Sequence, residues 1–444
     1  MMISQKLAQT LGRMANVDAR EIELSKAPGD YGLDSISLLI FRETCERQFG
    51  VYIPDVTWVS LRTLGELSQW LEKEVNGAEP LNGTQAGDAA PVAQSAAPAP
   101  ARQRGFWAPD DLSEEIDIGM PFTGINNLSE NALLKYLGDL RWRHLSDLMR
   151  VPSKQIIDEE NNRVYATFFY VDLAFPEANP MASYKENDRL QVVSRIARFG
   201  GSLVDGATVL LPQGARAGAQ PEIHGLQEAI AAGIPAAHLS NLFVQQFNGA
   251  EWLKKSRPAN PGFQNVRELP VAPESYAAVK TAEKAGHFYL PDSSYVPLTE
   301  DAVCVDYKLI AERDVNGVGL VYFANYPVFL DICERETLLR GSRPIPEELC
   351  NRRTPLRRKS AYLNNASWKD TLRIETKVWI KNPFAGQGPA PEMEPIRLFS
   401  NQRMYRKSDG RLMMVSTAEK LIFGAAAEDL SFFAGLEALT TPQG

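Results

Sequence analysis

Before residue 78 the apolar positions of the chain fall at helical spacing. Leu7, Leu11 and Met14 line one face of "ISQKLAQTLGRMANV", and Ile36, Leu39, Ile40 and Phe49 line a second segment. After a shorter turn at "DVTWVSL", Leu64, Leu67 and Leu71 form a third stripe. No strand-like alternation interrupts these stripes, so residues 1–77 are predicted to form a small all-α bundle. Residues 78–105, "AEPLNGTQAGDAAPVAQSAAPAPARQRG", rich in Ala, Pro and Gly, hold almost no large apolar side chain and cannot bury a core, which predicts a linker. A coil of about 28 residues spans roughly 30 Å, and it keeps the bundle near the rest of the chain at an effective concentration on the order of millimolar.

The remainder, residues 106–444, repeats one pattern. "SENALLKYLGDLRWRHLSDLM" is helix-periodic, "NRVYATFFYVDLAF" and "ENDRLQVVSRIARFG" alternate as strands, and "GATVLLPQG" follows. Later, "NGVGLVYFANYPVFLDICERETLL" is predicted to be helical, "RKSAYLNNAS" leads into "WKDTLRIETKVWI", and a hairpin turns at Ser408-Asp409-Gly410. The runs Asp188 to Leu190 and Asp370 to Leu372 occupy the same place in each half. A long helix followed by antiparallel strands, given twice, predicts an α+β domain in which helices are wrapped by a sheet in tandem. The halves divide at about 115–290 and 291–425. The tail, "AEDLSFFAGLEALTTPQG", reads as a packed helix or a docking element.

Composition narrows the function classes. The net charge is −8, from 47 basic and 55 acidic residues, which leaves no electrostatic footprint for nucleic acid. The first residues lack the apolar core of a secretion signal, and no window approaches the apolar length of a membrane span. Cys45, Cys304, Cys333 and Cys350 are scattered, as are His144, His224, His238 and His287. Zinc ligation is therefore not expected, and reduced thiols in a cytoplasmic protein are.

The bundle contains Gly32, Leu33, Asp34, Ser35 and Ile36, the form "G-x-D-S-[hydrophobic]", followed after the second helix by "FGVYIP". On these residues, positions 4–76 resemble the acyl and peptidyl carrier proteins, a four-helix family. The resemblance implies that Ser35 carries covalent 4′-phosphopantetheine, placed there by a phosphopantetheinyl transferase. A serine at a helix start is exposed and the helix N-terminus favours a phosphate, although Ser is also an ordinary N-cap.

The long domain resembles a double hot-dog. "RDVNGVGLVYFANYPVFLD", Arg313 to Asp331, is similar to the helix-start motif of hot-dog thioesterases and of the leinamycin-type bifunctional acyltransferase/decarboxylases, with further likeness at "LGDLRW" 137–142, "FVQQFN" 243–248 and "AYLNNA" 361–366. The resemblance implies an enzyme that takes malonyl or methylmalonyl from coenzyme A, passes it through a tyrosine, decarboxylates it, and leaves acetyl or propionyl on a carrier of a polyketide assembly line. The tyrosine strand of the family corresponds to "YATFFY", so Tyr165 is the expected nucleophile and Tyr170 the alternative. Alternation sets Tyr165, Thr167 and Phe169 on one face and Phe168 and Tyr170 on the other. An enolate needs hydrogen-bond donors: Asn126 and Asn127 precede the first helix, and Asn316, Gly317 and Gly319 introduce the second. Asp314 stands where a hot-dog thioesterase holds its base. The family's Gly-His-Asn element is replaced by "NNLSEN", which puts its acid-base scheme in doubt. A hot-dog thioesterase or dehydratase, or a non-catalytic domain that docks the carrier, are the other readings. No metal is expected, a downstream polyketide synthase is the expected recipient, and a homodimer is allowed but not required, since a tandem already pairs two hot-dog units.

Overall fold

A computed structural model describes residues 3–15, 17–33, 35–77, 111–212, 226–247, 252–341, 343–381 and 396–423. The expected linker, Asp34, His224 and the tail from 424 lie outside these residues. The chain divides into two compact units, Met1–Gln103 and Arg104–Gly444.

The first unit holds four helices: α1 Ile3–Ala15, α2 Ser35–Phe49, α3 Asp55–Ser60 and α4 Leu64–Gly77. The first and third predicted stripes make its core, with Leu7, Leu11, Leu64, Leu67 and Leu71 buried around Ile53. The helix α2 reaches it through Phe41 and Cys45 with Phe49 packed alongside, and the side chains of Ile36 and Leu39 lie outside the described residues. Each buried leucine contributes about 2 kcal/mol by leaving water. Buried Arg42 ties α2 to the approach to α3 by donating to the Ile53 carbonyl and to Glu46.

The second unit is built on one twelve-stranded antiparallel sheet. In chain order its first half runs β1 Leu112–Asp117, the short pair β2 Thr123–Gly124 and β3 Asn127–Leu128, α5 Glu130–Met149, β4 Val164–Ala174, β5 Arg189–Phe199, β6 Leu203–Pro212, α6 Leu226–Ala231, β7 Ala236–Phe247 and β8 Trp252–Lys255. A connection follows through α7 Glu274–Ala285 and β9 Tyr295–Pro297. The second half runs β10 Val303–Lys308, α8 Ala311–Asp314, α9 Tyr326–Arg340, α10 Glu347–Cys350, β11 Arg353–Tyr362, β12 Thr371–Lys381, β13 Ile396–Arg406 and β14 Leu412–Ile422. The sheet order is β1-β5-β6-β7-β4-β11-β14-β13-β12-β10. In each half the first long strand is outermost, the third, fourth and fifth follow inward, and the second lies at the seam where β4 pairs with β11. The halves are thus mirror images in order, as the repeated pattern predicts.

The two long helices pack on the same sheet. Leu133, Leu134, Leu137 and Leu140 of α5 meet Val171, Leu173, Leu190, Val192 and Leu239, while Phe329, Leu330 and Cys333 of α9 meet Leu372, Ile374, Met404 and Met414. On the opposite face, Leu226 and Ala229 of α6 cover Ala174, Val193 and Val209.

Two expectations are corrected. The second helix starts at Tyr326, with Pro327 in its first turn, rather than at Asn316. Asn316 Oδ1 accepts from Val318 N at 3.1 Å and Leu320 N at 3.0 Å, Gly319 takes φ +81°, and Val315 bridges Val321, so this stretch folds on itself as a turn. The alternation along β4 also breaks. Phe168 stands opposite Asn241 and Tyr170 opposite Ser240, leaving Phe169 unopposed as a bulge. Tyr165, Thr167, Tyr170 and Asp172 consequently share the face turned away from α5, and the two tyrosines are not on opposite sides.

Candidate functional site

In the first unit the chain turns through Gly32, in the left-handed region at φ +75°, and buries Leu33 before α2 begins at Ser35. A helix of 15 residues follows, so its N-terminal N–H groups and positive dipole end lie at Ser35.

In the second unit the starts of α5 and α9 meet. Ser129 caps α5, its Oγ accepting from Ala132 N at 3.4 Å. Asn131 Nδ2 donates to the Ala324 carbonyl at 2.6 Å and to Asn325 Oδ1 at 3.0 Å, and Asn325 Nδ2 donates to the Arg313 carbonyl at 3.0 Å. Phe323 stacks on Phe168 with ring centroids 3.9 Å apart, and Tyr362 donates to the Phe323 carbonyl at 3.2 Å. Gly138 makes room for that ring: a Cβ there would stand 2.7 Å from Phe323 Cε1.

Beside this junction lies a buried cluster of three acids and three bases. Arg358 of β11 is 2% exposed, with Nε and Nη2 donating to Glu130 at 2.7 and 3.2 Å and Nη2 to Asp331 at 2.5 Å. Lys420 donates to Asp331 and Glu334 at 2.7 Å each, Arg353 pairs with Glu334, and Ser400 donates to Glu334 at 2.7 Å. Burial pushes the Glu130 carboxyl above its ordinary range, and Arg358 only partly offsets this. Burial acts the same way on Asp331, but Arg358 and Lys420 outweigh it and hold that carboxyl well below the usual range. Arg358 Nη1 is buried and has no hydrogen-bond partner among the described residues.

The residues singled out in the sequence fall in three places. Asn126 Nδ2 donates to the Arg353 carbonyl at 2.7 Å and Asn127 Nδ2 to the Ala182 carbonyl, so both carboxamide groups hold main chain around the junction. Asp314, 1% exposed, accepts from Ile310 N at 2.8 Å, Arg313 Nε at 2.9 Å and Tyr307 Oη at 3.1 Å, and with Asn316 and Gly319 it shapes the turn into α9. Gly317 is exposed on that turn. Tyr165 lies on the other sheet face, half-buried, with the Arg163 guanidinium 4.7 Å over its ring. Tyr170 is sealed: it is 3% exposed and donates to Asp172 at 3.2 Å, and burial and that carboxylate push its hydroxyl far above the ordinary phenol range. Its ring meets His238, whose Nε2 lies 2.8 Å from Asp205 Oδ1; Ser240 and Ser275 also donate to that carboxylate. His144 is buried beside Ser194 Oγ at 3.3 Å. Among the described residues no group of His, Cys, Asp or Glu has the geometry of a metal site, and no helix is long and apolar enough to cross a membrane.

Sequence reasoning did not single out Glu130, Arg358, Asp331, Glu334 or Lys420. Their signal was present as charges inside apolar runs: Asp331 and Glu334 at helical spacing in "FLDICERE", Arg358 in "TPLRRKSAY" and Lys420 in "STAEKLIF".

Residues 5–71 match the family described as the phosphopantetheine attachment site. The N-terminal module is a phosphopantetheine-bearing carrier domain. It is similar to an acyl carrier protein of Rhodococcus erythropolis, 29% identical over 82 residues that make up 18% of this chain and 90% of that protein. The second unit lies outside the carrier domain and is similar to solved structures at low identity. A protein assigned as an oleoyl thioesterase from Lactobacillus plantarum superposes with TM-score 0.44 and 10% identity, covering 71% of this chain and 96% of its own. An acyl-ACP thioesterase from Bacteroides thetaiotaomicron superposes with TM-score 0.40 and 12% identity, covering 70% and 98%.

Proposed function

We propose that the chain processes an acyl thioester on its own carrier domain, and that the reaction is a decarboxylating acyl transfer. A hydroxyl of the second unit attacks the thioester carbonyl of malonyl- or methylmalonyl-coenzyme A, the C–S bond breaks, and coenzyme A leaves as its thiol with the hydroxyl proton. The bond to the carboxylate breaks, its electron pair forms the enolate, carbon dioxide leaves, and the α-carbon takes up a proton. The phosphopantetheine thiol on Ser35 then attacks the acyl carbonyl, the ester C–O bond breaks and the hydroxyl is restored with the thiol proton, leaving acetyl or propionyl on the arm for a polyketide synthase. The observation that carries this reading is the joining, in one chain, of a carrier domain to a unit whose two mirrored halves each set a long helix on an antiparallel sheet, which we read as a double hot-dog.

The nucleophilic relay is assigned to Tyr165. Of the two tyrosines of β4, it alone is half-exposed, with the Arg163 guanidinium 4.7 Å over its ring. Tyr170 is kept protonated by its surroundings. On the opposite sheet face, Asn126, Asn127, Asp314, Asn316, Gly317 and Gly319 fix the starts of α5 and α9, a second place where N–H groups can hold developing negative charge.

A thioesterase is the second reading, favoured by Glu130, a buried carboxyl at the start of α5 whose burial raises its affinity for a proton.

Intact-protein mass spectrometry separates the two. The phosphopantetheinylated protein incubated with malonyl- or methylmalonyl-coenzyme A should gain acetyl or propionyl on the arm, and Ser35→Ala should gain neither. Retention of the carboxyl group on the arm, or no loading at all, would overturn the decarboxylating reading, and release of free acid would favour hydrolysis.

A further inference from the structure

We infer that Arg358 recognises a carboxylate carried by the acyl group, and so sets the specificity of the site for acyl groups ending in an acid. The inference rests on the acyl-thioester reading, with the acyl group held at the junction of α5 and α9 rather than on the Tyr165 face, and names its substrate class. Arg358 stands on β11 beside the seam, on the sheet face that meets α5, and its Nε and Nη2 hold the first residue of that helix. A ligand at this point therefore meets both the guanidinium and the positive end of a helix of 20 residues. Nη1 is the arm left over. It is a charged donor, buried, and without a partner among the described residues, and it can donate a single charge-assisted hydrogen bond to one carboxylate oxygen.

The surroundings add a further reason. The cluster is balanced, with Glu130, Asp331 and Glu334 facing Arg353, Arg358 and Lys420. A carboxylate at Nη1 gains a hydrogen bond without an uncompensated positive charge to trap it. It can thus be selected on binding and still leave as neutral carbon dioxide.

Arg358→Lys tests this, because it keeps the positive charge toward Glu130 and Asp331 and removes Nη1. Binding is measured on the full chain carrying Ser35→Ala, which has no arm to accept the acyl group, with malonyl-coenzyme A and acetyl-coenzyme A as probes. With Arg358 present, malonyl-coenzyme A should bind about tenfold more tightly than acetyl-coenzyme A. Arg358→Lys should erase that ratio while leaving acetyl-coenzyme A affinity unchanged in the folded variant, at some cost in melting temperature. An intact ratio in the folded variant, or no preference to begin with, would overturn the inference. Should the lysine variant fail to fold, Glu130→Gln serves instead: it removes a competing carboxylate and should tighten malonyl-coenzyme A, and no tightening would count against Arg358. A preference for malonyl-coenzyme A in a protein that releases no carbon dioxide would keep this assignment and remove the decarboxylating reading.

Discussion

Asp188 and Asp370 hold the same turn in opposite halves of the second unit. Each carboxylate accepts the main-chain N–H three residues upstream, from Lys185 at 2.7 Å and Ser367 at 2.8 Å. Each main-chain carbonyl accepts the N–H that follows the outermost strand, from Ile118 at 2.8 Å and Leu309 at 3.4 Å. Replacing either by Ala removes a local cap and should cost about 0.5–1 kcal/mol. The two sites share no partner, so the double variant should lose the sum, as read by urea denaturation. A coupled loss would mean that the halves unfold through a common contact at these turns.

The two tyrosines of β4 should respond differently to loss of the hydroxyl. Tyr165→Phe touches no hydrogen bond in the core and should leave the melting temperature unchanged while abolishing acyl loading. Tyr170→Phe removes a buried bond to Asp172, which Arg357 continues to hold at 2.9 and 2.8 Å, so it should cost about 1 kcal/mol of stability and spare loading. Loading by Tyr165→Phe at the wild-type rate would remove the tyrosyl route and leave the helix junction, on the other face, as the place of reaction.

Gly206 is required by its neighbours. A Cβ at this position would stand 2.3 Å from the Arg195 carbonyl oxygen and 2.7 Å from Arg141 Nη1. Arg141 is 1% exposed, burial lowers its guanidinium to about 10, and Nη2 donates to the Leu239 carbonyl at 3.0 Å. Gly206→Ala should therefore destabilise the second unit by about 2–3 kcal/mol, since a main-chain oxygen cannot swing aside. Thermal unfolding followed by circular dichroism would show it.

The pair of Asp205 and His238 makes stability depend on pH in a defined direction. Burial pulls His238 down, but the Asp205 carboxylate outweighs it and the net shift is upward. Stability from this shift is fully present below the unfolded histidine value, about 6.5, and is lost as pH rises through the folded value. Asp205 shifts the other way: burial raises it, and His238 and Ser240 outweigh that. Its contribution is present above about pH 4 and is lost in stronger acid. The pair should therefore stabilise most between about pH 4 and 6.5. The melting temperature of the wild-type protein should fall between pH 6 and 9 by more than that of His238→Gln, and equal falls would assign the pH dependence elsewhere.

Much of the fold was legible because it rests on local periodicity. The leucines of α5, the stripes of the carrier domain and the matching runs at Asp188 and Asp370 all follow from spacing alone. The bulge at Phe169 was not legible, because "TFFY" has the same strand preference with or without it and only the register against β7 decides the face. The start of α9 was marked by Pro327 behind two glycines, a helix-start signal outweighed by the apolar run before it. The cluster around Arg358 draws on α5, α9, β11, β13 and β14, and no window of sequence brings those elements together. Position could be read for Asn126, Asn127, Asp314 and Asn316, whereas the partners that occupy their side chains depend on tertiary packing.

Across the seam, Arg358 stands directly opposite Leu173. In a dimer of identical subunits, a charge introduced beside the two-fold axis arrives in duplicate, and each copy needs its own compensation. A single polypeptide holding both halves escapes that constraint. One side of its midline can specialise as a charged wall and the other, with Leu173, Val171 and Phe168, as an oily one. Two halves joined in one chain thus permit a division of labour that strict symmetry would forbid.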